Sequence, residues 1–301
     1  MSRLKLFLAL SRTPHGLLDL AAPSLSALLW LGGFPPAEVM ALGLVTAFSG
    51  YTAVYALNDV VDYRVDRGKM QEAGGPAAQG DLDSVFVRHP LAQGMLRYRE
   101  GIFWTLAWAA LAAIGAYLLN PVCAFIFLLA CFLEFSYCRL LKVTYWRGII
   151  SGFVKTSGPL AAVFAVDPDP APAFLAVLFF WLFFWEIGGQ NVPNDWGDLE
   201  EDRKLQARTI PVRFGTGGAL RVILLSLGLS VALSLLPFWA LPQESSRFYL
   251  VGALLAGTYF LVIPGYRLYR GKSSADAFAL FNRASYYPLA MLGVTVVSWA
   301  F

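Results

Sequence analysis

Two ten-residue segments of this 301-residue chain share one pattern: Asn58–Arg67 reads NDVVDYRVDR, and Asn194–Arg203 reads NDWGDLEEDR. They match at one asparagine, three aspartates and one arginine, each in register. Each segment follows a long apolar run, in a chain that is 57% hydrophobic and only 14% charged. Because clustered carboxylates beside lipid repel one another unless cations neutralise them, the repeat suggests a divalent metal site at a membrane edge.

The spacing of the pattern has a geometric meaning on a helix. Positions i, i+1, i+4 and i+8 fall at roughly 0°, 100°, 40° and 80° around the axis, so their side chains share one face. Carboxylate and amide oxygens presented together favour hard ions such as Mg²⁺. The plainer interpretation is a pair of solvated acidic loops, and the occurrence of two matched copies argues against it.

The composition indicates a polytopic membrane protein. Mean hydropathy is +0.58, and stretches near the twenty residues that cross a hydrocarbon core of about 30 Å recur along the chain. We therefore predict an all-α polytopic membrane protein with about nine transmembrane helices. The predicted spans are 14–34, 36–58, 101–119, 121–140, 148–166, 171–192, 218–240, 247–267 and 283–301.

Basic residues test this count and orient the chain. With a cytoplasmic amino terminus, all but two of the 23 lysines and arginines fall on inside segments; Arg247 lies outside and Lys155 lies within a span. The positive-inside rule then predicts a multi-pass protein of the cytoplasmic (inner) membrane, with both aspartate motifs on the cytoplasmic side. No basic block indicates nucleic acid. The first thirteen residues are predicted to form an interfacial helix.

The motifs suggest one membrane domain, residues 1–301, that contains an internal repeat. Their starts lie 136 residues apart (194 − 58), which fits four helices per repeat, about 14–140 and 148–267, plus a ninth helix at 283–301.

Local signals add three expectations. Pro193 removes a helix hydrogen bond, so the sixth span should kink or break before Asn194. The segment Gly68–Gly80 is interpreted as an insert without regular structure. The three cysteines should be reduced, packed thiols; they are Cys123, Cys131 and Cys138.

Several basic residues are candidates for a phosphate site. Arg139 and Lys142 close the fourth span, and they either contact a diphosphate or anchor the span as ordinary inside charges. Arg203, beside the second motif, likewise either contacts a diphosphate or is an ordinary inside charge. Lys155 lies deep in the fifth span and is either functional or a structural ion pair with Glu134 or Glu186. Further polar residues that could line the same cavity are Asp19, Gln190 and Asn191.

These motifs resemble those of the UbiA superfamily of intramembrane prenyltransferases. Asn58 to Asp66 matches that family's N-D-x-x-D-x-x-x-D motif, and Asp198 to Asp202 matches its D-x-x-x-D motif. Tyr137 to Lys142 matches the Y-S-x-x-L-K loop, with Cys138 in place of serine. Arg88–Gly94 is similar to the R-P-L-P-S-G loop, although it lies further from the first motif.

The resemblance implies a fold and a reaction. The fold is a bundle of nine helices around a central cavity, with the two Asp-rich motifs at its cytoplasmic cap. The reaction is Mg²⁺-dependent transfer of a prenyl group from a polyprenyl diphosphate to a small aromatic or lipid acceptor, with release of diphosphate. An aromatic acceptor of quinone-type lipid biosynthesis is the favoured case. Two Mg²⁺ ions are implied, with Mn²⁺ as a substitute.

The resemblance also implies roles for individual residues. The metal ligands would be Asn58, Asp62, Asp66, Asp198 and Asp202, supported by Asp59, Asn194 and Asp195. The catalytic group would be Asp62, Asp66, Asp198, Asp202, Lys142 and Tyr137. Contacts to the diphosphate, the prenyl tail or the acceptor would come from Lys142, Arg88, Arg139, Arg203, Lys155 and Asn191.

Two other classes of membrane protein also use clustered acidic residues. A cation-coupled transporter would use the acidic residues as an ion site, but such sites usually lie near the midplane, whereas these aspartates follow the ends of predicted spans. Membrane phosphotransferases that use CDP-activated alcohols also bind metals through aspartates, but their D-G-x-x-A-R core is absent from this sequence.

Overall fold

The computed structural model describes residues 2–73, 86–240 and 243–300, and every regular element in those ranges is helical. The first seven helices are α1 (Arg3–Leu10), α2 (Thr13–Asp19), α3 (Ala21–Leu31), α4 (Ala37–Ala73), α5 (Tyr98–Leu119), α6 (Pro121–Arg139) and α7 (Arg147–Val166). The next four are α8 (Pro172–Trp185), α9 (Val192–Gly197), α10 (Leu199–Lys204) and α11 (Ile210–Ser234). The last four are α12 (Gln243–Gly257), α13 (Ile263–Gly271), α14 (Ser274–Ala284) and α15 (Tyr287–Ser298).

Seven helical runs in the described ranges are long and apolar enough to cross a membrane. They are Ala37–Gly68, Tyr98–Leu119, Pro121–Arg139, Arg147–Val166, Pro172–Gly197, Ile210–Phe238 and Arg247–Gly271. The first predicted span is divided at Leu20 into α2 and α3, and most of the last is formed by the shorter α15. The prediction of an all-α polytopic membrane protein is confirmed, whereas the count of nine continuous spans is not.

Helix α4 corrects the predicted boundary after the second span. It continues through the first aspartate motif as far as Ala73, so the motif is helical, as its spacing predicts. The predicted insert at Gly68–Gly80 is therefore helical over its first six residues, and its remainder lies outside the described residues. No proline interrupts residues 59–73, and one glycine alone lowers helix stability by only about 1 kcal/mol.

The sixth predicted span widens instead of breaking. Between α8 and α9, residues Glu186–Asn191 form a π-helical segment that ends two residues before Pro193. A π-turn uses hydrogen bonds to the fifth residue along, and so it absorbs one extra residue without ending the helix. The proline is thus accommodated next to a local widening, which keeps the chain helical up to the second aspartate motif.

Glycine lets a neighbouring helix pack directly against this segment. A Cβ on Gly188 would lie 2.8 Å from Cβ of Ser226 and 2.9 Å from the carbonyl oxygen of Ile223 on α11. Gly188→Ala should therefore lower stability by roughly 1–3 kcal/mol, because backbone atoms must move to make room. Thermal unfolding in detergent checks this.

Gly228→Ala is the matched control, because Gly228 lies on α11 with open space around its would-be Cβ. Its melting temperature should be unchanged or higher, since alanine favours a helix more than glycine does. An unaltered melting temperature in the Gly188 variant would contradict the packing described here.

The main apolar core lies in the second half of the chain, around tryptophans on α8. Trp181 donates to the Tyr287 hydroxyl at 3.1 Å, and Trp185 donates to the Ala284 carbonyl at 2.9 Å. Both indole N–H groups are thus satisfied by the carboxyl-terminal helices, which ties α8 to α14 and α15. As predicted, all three cysteines are free.

Candidate active site

A cavity of about 550 Å³ runs through the bundle. Its lining on α4 extends from Val39 to Asp66, a rise of about 40 Å at 1.5 Å per residue. One end is formed by both aspartate motifs, and the other is apolar and includes Phe34 and Pro35. The cavity therefore joins a highly charged end, through a middle section that includes Lys155 and Glu186, to an apolar far end.

The first motif presents three of its polar residues to the cavity from one face of α4: Asn58, Asp62 and Asp66. Asp59 is buried but does not line the cavity. Its Oδ1 lies 3.5 Å from Nη2 of Arg12 and 3.2 Å from Nδ1 of His89. Asp59 therefore lies behind two basic side chains, Arg12 and His89, which themselves line the cavity.

The second motif reaches the same end of the cavity through Asn194, Asp195, Asp198 and Asp202. The helix is interrupted at Asp198, between α9 and α10, so these four residues do not lie on one continuous helix. Asp198 and Asp202 are the pair matched to the D-x-x-x-D motif, and the structure brings both beside the first motif.

The loop between α4 and α5 carries two basic side chains, and each of them contacts an aspartate of one motif. Nη2 of Arg88 lies 3.7 Å from Oδ2 of Asp198. Nδ1 of His89 lies 3.0 Å from Oδ2 of Asp66. Burial lowers the pKa of His89, but the carboxylates of Asp66 and Asp59 outweigh it and raise that pKa to about 10. The loop thus contributes positive charge to both motifs.

Arg147, the first residue of α7, is a site residue that sequence reasoning missed. It is buried, and its Nη1 lies 3.6 Å from Oδ1 of Asp195. Its guanidinium lies 3.8 Å from the centre of the Tyr137 ring. The Tyr137 hydroxyl in turn accepts a hydrogen bond from Nδ2 of Asn191 at 3.0 Å. Tyr137 and Asn191, both predicted site residues, are therefore in the cavity wall beside an unpredicted arginine.

Three basic residues predicted to contact the substrate do not line the cavity: Arg139, Lys142 and Arg203. All three are exposed, and Arg203 donates to Oε1 of Glu200 at 3.0 Å. The cavity face of α6 carries Tyr137, and Arg139 two residues later points about 200° away from it. The structure therefore assigns these residues to the outer surface of the site.

The intramembrane lysine is paired, but with a different partner from either predicted one. Nζ of Lys155 lies 2.7 Å from Oδ2 of Asp19 and 3.1 Å from the Tyr55 hydroxyl. The expected partners, Glu134 and Glu186, hydrogen-bond to Asn58 and Ser151, although Lys155 also interacts electrostatically with Glu186. Glu134 accepts from Nδ2 of Asn58 at 2.6 Å, so it orients a predicted metal ligand. Lys155 lines the cavity, whereas Asp19 lies behind it.

The oxygens at the charged end of the cavity fit a hard divalent ion. The lining there includes four carboxylates of the two motifs, Asp62, Asp66, Asp198 and Asp202, and the amide of Asn58. Mg²⁺ prefers carboxylate and carbonyl oxygens and commonly shares its coordination with substrate phosphates. The ligand atoms of Asp59, Asp66 and His89 also lie within 4.8 Å of one another, but the imidazole would have to lose its proton before it could bind a metal ion.

The fold and site define a multi-pass membrane protein whose cavity has an acidic end lined by both aspartate motifs. Residues 20–286 match the sequence profile of the UbiA prenyltransferase family. The chain belongs to this family and is a prenyltransferase. The family resemblance drawn from the motifs is thereby confirmed.

Curated relatives are distant and differ in their acceptors. The chain is 26% identical over 215 residues to digeranylgeranylglyceryl phosphate synthase of Pyrococcus furiosus, covering 71% of this chain and 70% of that protein. It is 26% identical over 267 residues to protoheme IX farnesyltransferase of Ralstonia nicotianae, covering 85% of this chain and 78% of that protein.

Solved structures share the fold. A UbiA homologue of Aeropyrum pernix has a TM-score of 0.71 at 19% identity, covering 94% of this chain and 97% of that one. A UbiA homologue of Archaeoglobus fulgidus bound to GPP and Mg²⁺ has a TM-score of 0.70 at 17% identity, covering 98% of this chain and all of that one.

Proposed function

We propose that this protein transfers a prenyl group from a prenyl diphosphate to an acceptor in an Mg²⁺-dependent reaction. The observation that carries the proposal is the convergence of both aspartate motifs, from α4 and from the α9–α10 junction, on the charged end of one long cavity. The apolar remainder of that cavity suits an isoprenoid tail. The Archaeoglobus fulgidus homologue bound to GPP and Mg²⁺ supports the same pairing of metal and donor.

The chain's own residues supply binding and charge. Two Mg²⁺ ions, or Mn²⁺ in their place, would be held by the oxygens of Asn58, Asp62, Asp66, Asp198 and Asp202. Bound there, Mg²⁺ would stabilise the diphosphate as a leaving group. Arg88 and Arg147 lie at the same end, so they can offset the charge that the departing diphosphate gains.

The proposal also concerns which molecule accepts the prenyl group. The family resemblance favours an aromatic acceptor of quinone biosynthesis, whereas two relatives are named for a glyceryl phosphate lipid and for haem. A phenol, a prenylglyceryl phosphate and haem are therefore the acceptors to test first.

The test is diphosphate release by purified protein in lipid nanodiscs. With Mg²⁺, geranylgeranyl diphosphate and one acceptor of the panel, we expect release together with a prenylated product seen by mass spectrometry. EDTA should abolish release, and added Mg²⁺ should restore it, because the carboxylates bind the donor through metal. Release that is unaffected by EDTA would overturn the proposed metal dependence.

A further inference from the structure

We infer that Tyr51 limits the prenyl tail of the donor to about four isoprene units, an inference that rests on the proposed function. Tyr51 lines the cavity from α4. A Cβ on Gly16 of α2 would lie 3.8 Å from Cβ of Tyr51, and a Cβ on Gly158 of α7 would lie 2.9 Å from its hydroxyl oxygen. The base of the side chain thus packs beside α2, and the ring reaches from α4 across to α7.

A second aromatic side chain lies at the same level of the cavity. Phe127 of α6 lines the cavity, and its Cε2 would lie 3.5 Å from a Cβ on Gly50, the neighbour of Tyr51 on α4. A prenyl carbon needs about 3.5–4.0 Å to each carbon that it touches, so none fits between the Tyr51 hydroxyl and Gly158. The two rings therefore narrow the cavity, and we call this level the Tyr51–Phe127 constriction.

Two helices give the same depth for the constriction. Tyr51 lies eleven residues (62 − 51) along α4 from Asp62, which lines the charged end of the cavity. Gly158 lies eleven residues (158 − 147) along α7 from Arg147, which contacts Asp195 of the second motif. Eleven residues of α-helix rise about 16 Å.

This depth corresponds to a definite length of tail. An isoprene unit has four bonds along its chain, against three in a peptide residue of about 3.3–3.6 Å, so it is about 4.5 Å long. A tail that begins beside Asp62 therefore reaches the constriction after about four units.

The cavity continues beyond the constriction, where several small residues line it. They are Gly43, Ala47, Ala161, Ala162 and Ala165. From Tyr51 to Val39, the last cavity-lining residue of α4 in this direction, the helix rises about a further 18 Å, which equals about four more isoprene units. The far part of the cavity is thus long enough for a longer tail, and the limit is set by the two rings.

The test measures the binding of donors that differ only in tail length. The probes are the thiolodiphosphates of geranyl, geranylgeranyl and hexaprenyl chains with Mg²⁺; sulfur replaces the bridging oxygen in them and slows transfer. Dissociation constants are measured in lipid nanodiscs by competition with radiolabelled geranyl thiolodiphosphate. Wild-type protein should bind the hexaprenyl probe at least about fivefold more weakly than the geranylgeranyl probe, because extra carbons forced into a filled site weaken binding.

Three substitutions locate the limit at the Tyr51 ring. In Tyr51→Ala the geranylgeranyl and hexaprenyl probes should bind within about twofold of each other, because the far part of the cavity becomes accessible to the tail. Tyr51→Phe keeps the ring and should keep the wild-type difference. If Tyr51→Ala does not fold, Phe127→Ala removes the other ring and should also reduce the difference.

Ala47→Phe is the matched control for the space beyond the constriction. Ala47 lines the cavity about one helical turn past Tyr51. Alone, Ala47→Phe should leave the affinities for the geranyl and geranylgeranyl probes unchanged, because their tails end before it. Combined with Tyr51→Ala, it should restore the weak binding of the hexaprenyl probe.

The outcomes separate this inference from the proposed function. Equal wild-type binding of the geranylgeranyl and hexaprenyl probes, or an unchanged difference in a folded variant that lacks one ring, would overturn the role of Tyr51 and leave the proposed function standing. Failure of wild-type protein to bind even the geranyl probe with Mg²⁺ would overturn the proposed function, and this inference with it.

Discussion

Asp62→Ala should lower the rate of prenyl transfer by about 10²–10³-fold, with the protein still folded. Asp62 lines the charged end of the cavity from the middle of the first motif. Its loss removes a carboxylate from the proposed metal site, and groups that stabilise developing charge at a reaction centre contribute on this scale. Initial rates of diphosphate release at saturating Mg²⁺ measure the effect, with monodispersity in size-exclusion chromatography as the check on folding.

Asp198→Ala tests the second motif in the same way and should give a loss of similar size. Glu200→Ala is the matched control, since Glu200 is an exposed acid on α10, outside the cavity lining. It should retain near wild-type activity. Full turnover in both aspartate variants would remove the metal assignment.

Arg147→Ala should lower both the stability and the turnover of the protein, and this is the second large effect that we expect. The substitution leaves the buried carboxylate of Asp195 without its guanidinium partner. Removing one member of a buried ion pair costs about 3–5 kcal/mol of unfolding free energy, because the remaining charge loses a compensating partner. Arg147→Lys keeps the charge but loses the planar contact with the Tyr137 ring, so it should be intermediate. Melting temperature and initial rate are measured for both variants.

Lys142→Ala is the informative comparison for Arg147. The sequence predicts that Lys142 stabilises the diphosphate, whereas the structure places it outside the cavity lining. We expect Lys142→Ala to change neither melting temperature nor rate by a large factor. A loss of turnover in Lys142→Ala larger than that in Arg147→Ala would show that the sequence assignment was the better one.

Lys142 and Arg147 lie five residues apart in the chain, and the difference between them could not be predicted from the sequence. Helical spacing predicts which side chains of the first motif share a face, because that relation is local to one helix. Whether Lys142 or Arg147 faces the cavity depends on how α7 packs against its neighbours, and both look like ordinary inside charges in the sequence. A buried arginine at a helix start leaves no local pattern that distinguishes it from an anchor.

The deep polar residues show the same limit. Lys155 is recognisable from sequence as an intramembrane charge, but its partner Asp19 lies 136 residues earlier, so no local pattern joins them. The pattern of apolar residues also does not predict the π-helical segment Glu186–Asn191. The sequence signal there was the proline that follows, which predicts an irregularity without specifying its form.

The pairing of Asp19 with Lys155 has a consequence for synthesis of the protein. Asp19 leaves the ribosome 136 residues before its partner, an interval of about 7–27 s at 5–20 residues per second. Until Lys155 is inserted, the described partners of Asp19 are His15 and the Tyr55 hydroxyl. Because an acid within the bilayer is most stable beside a fixed cation, we expect α2 to reach its final position only after α7 has been inserted. The beginning of the chain then settles later than the helices that directly follow it in the sequence.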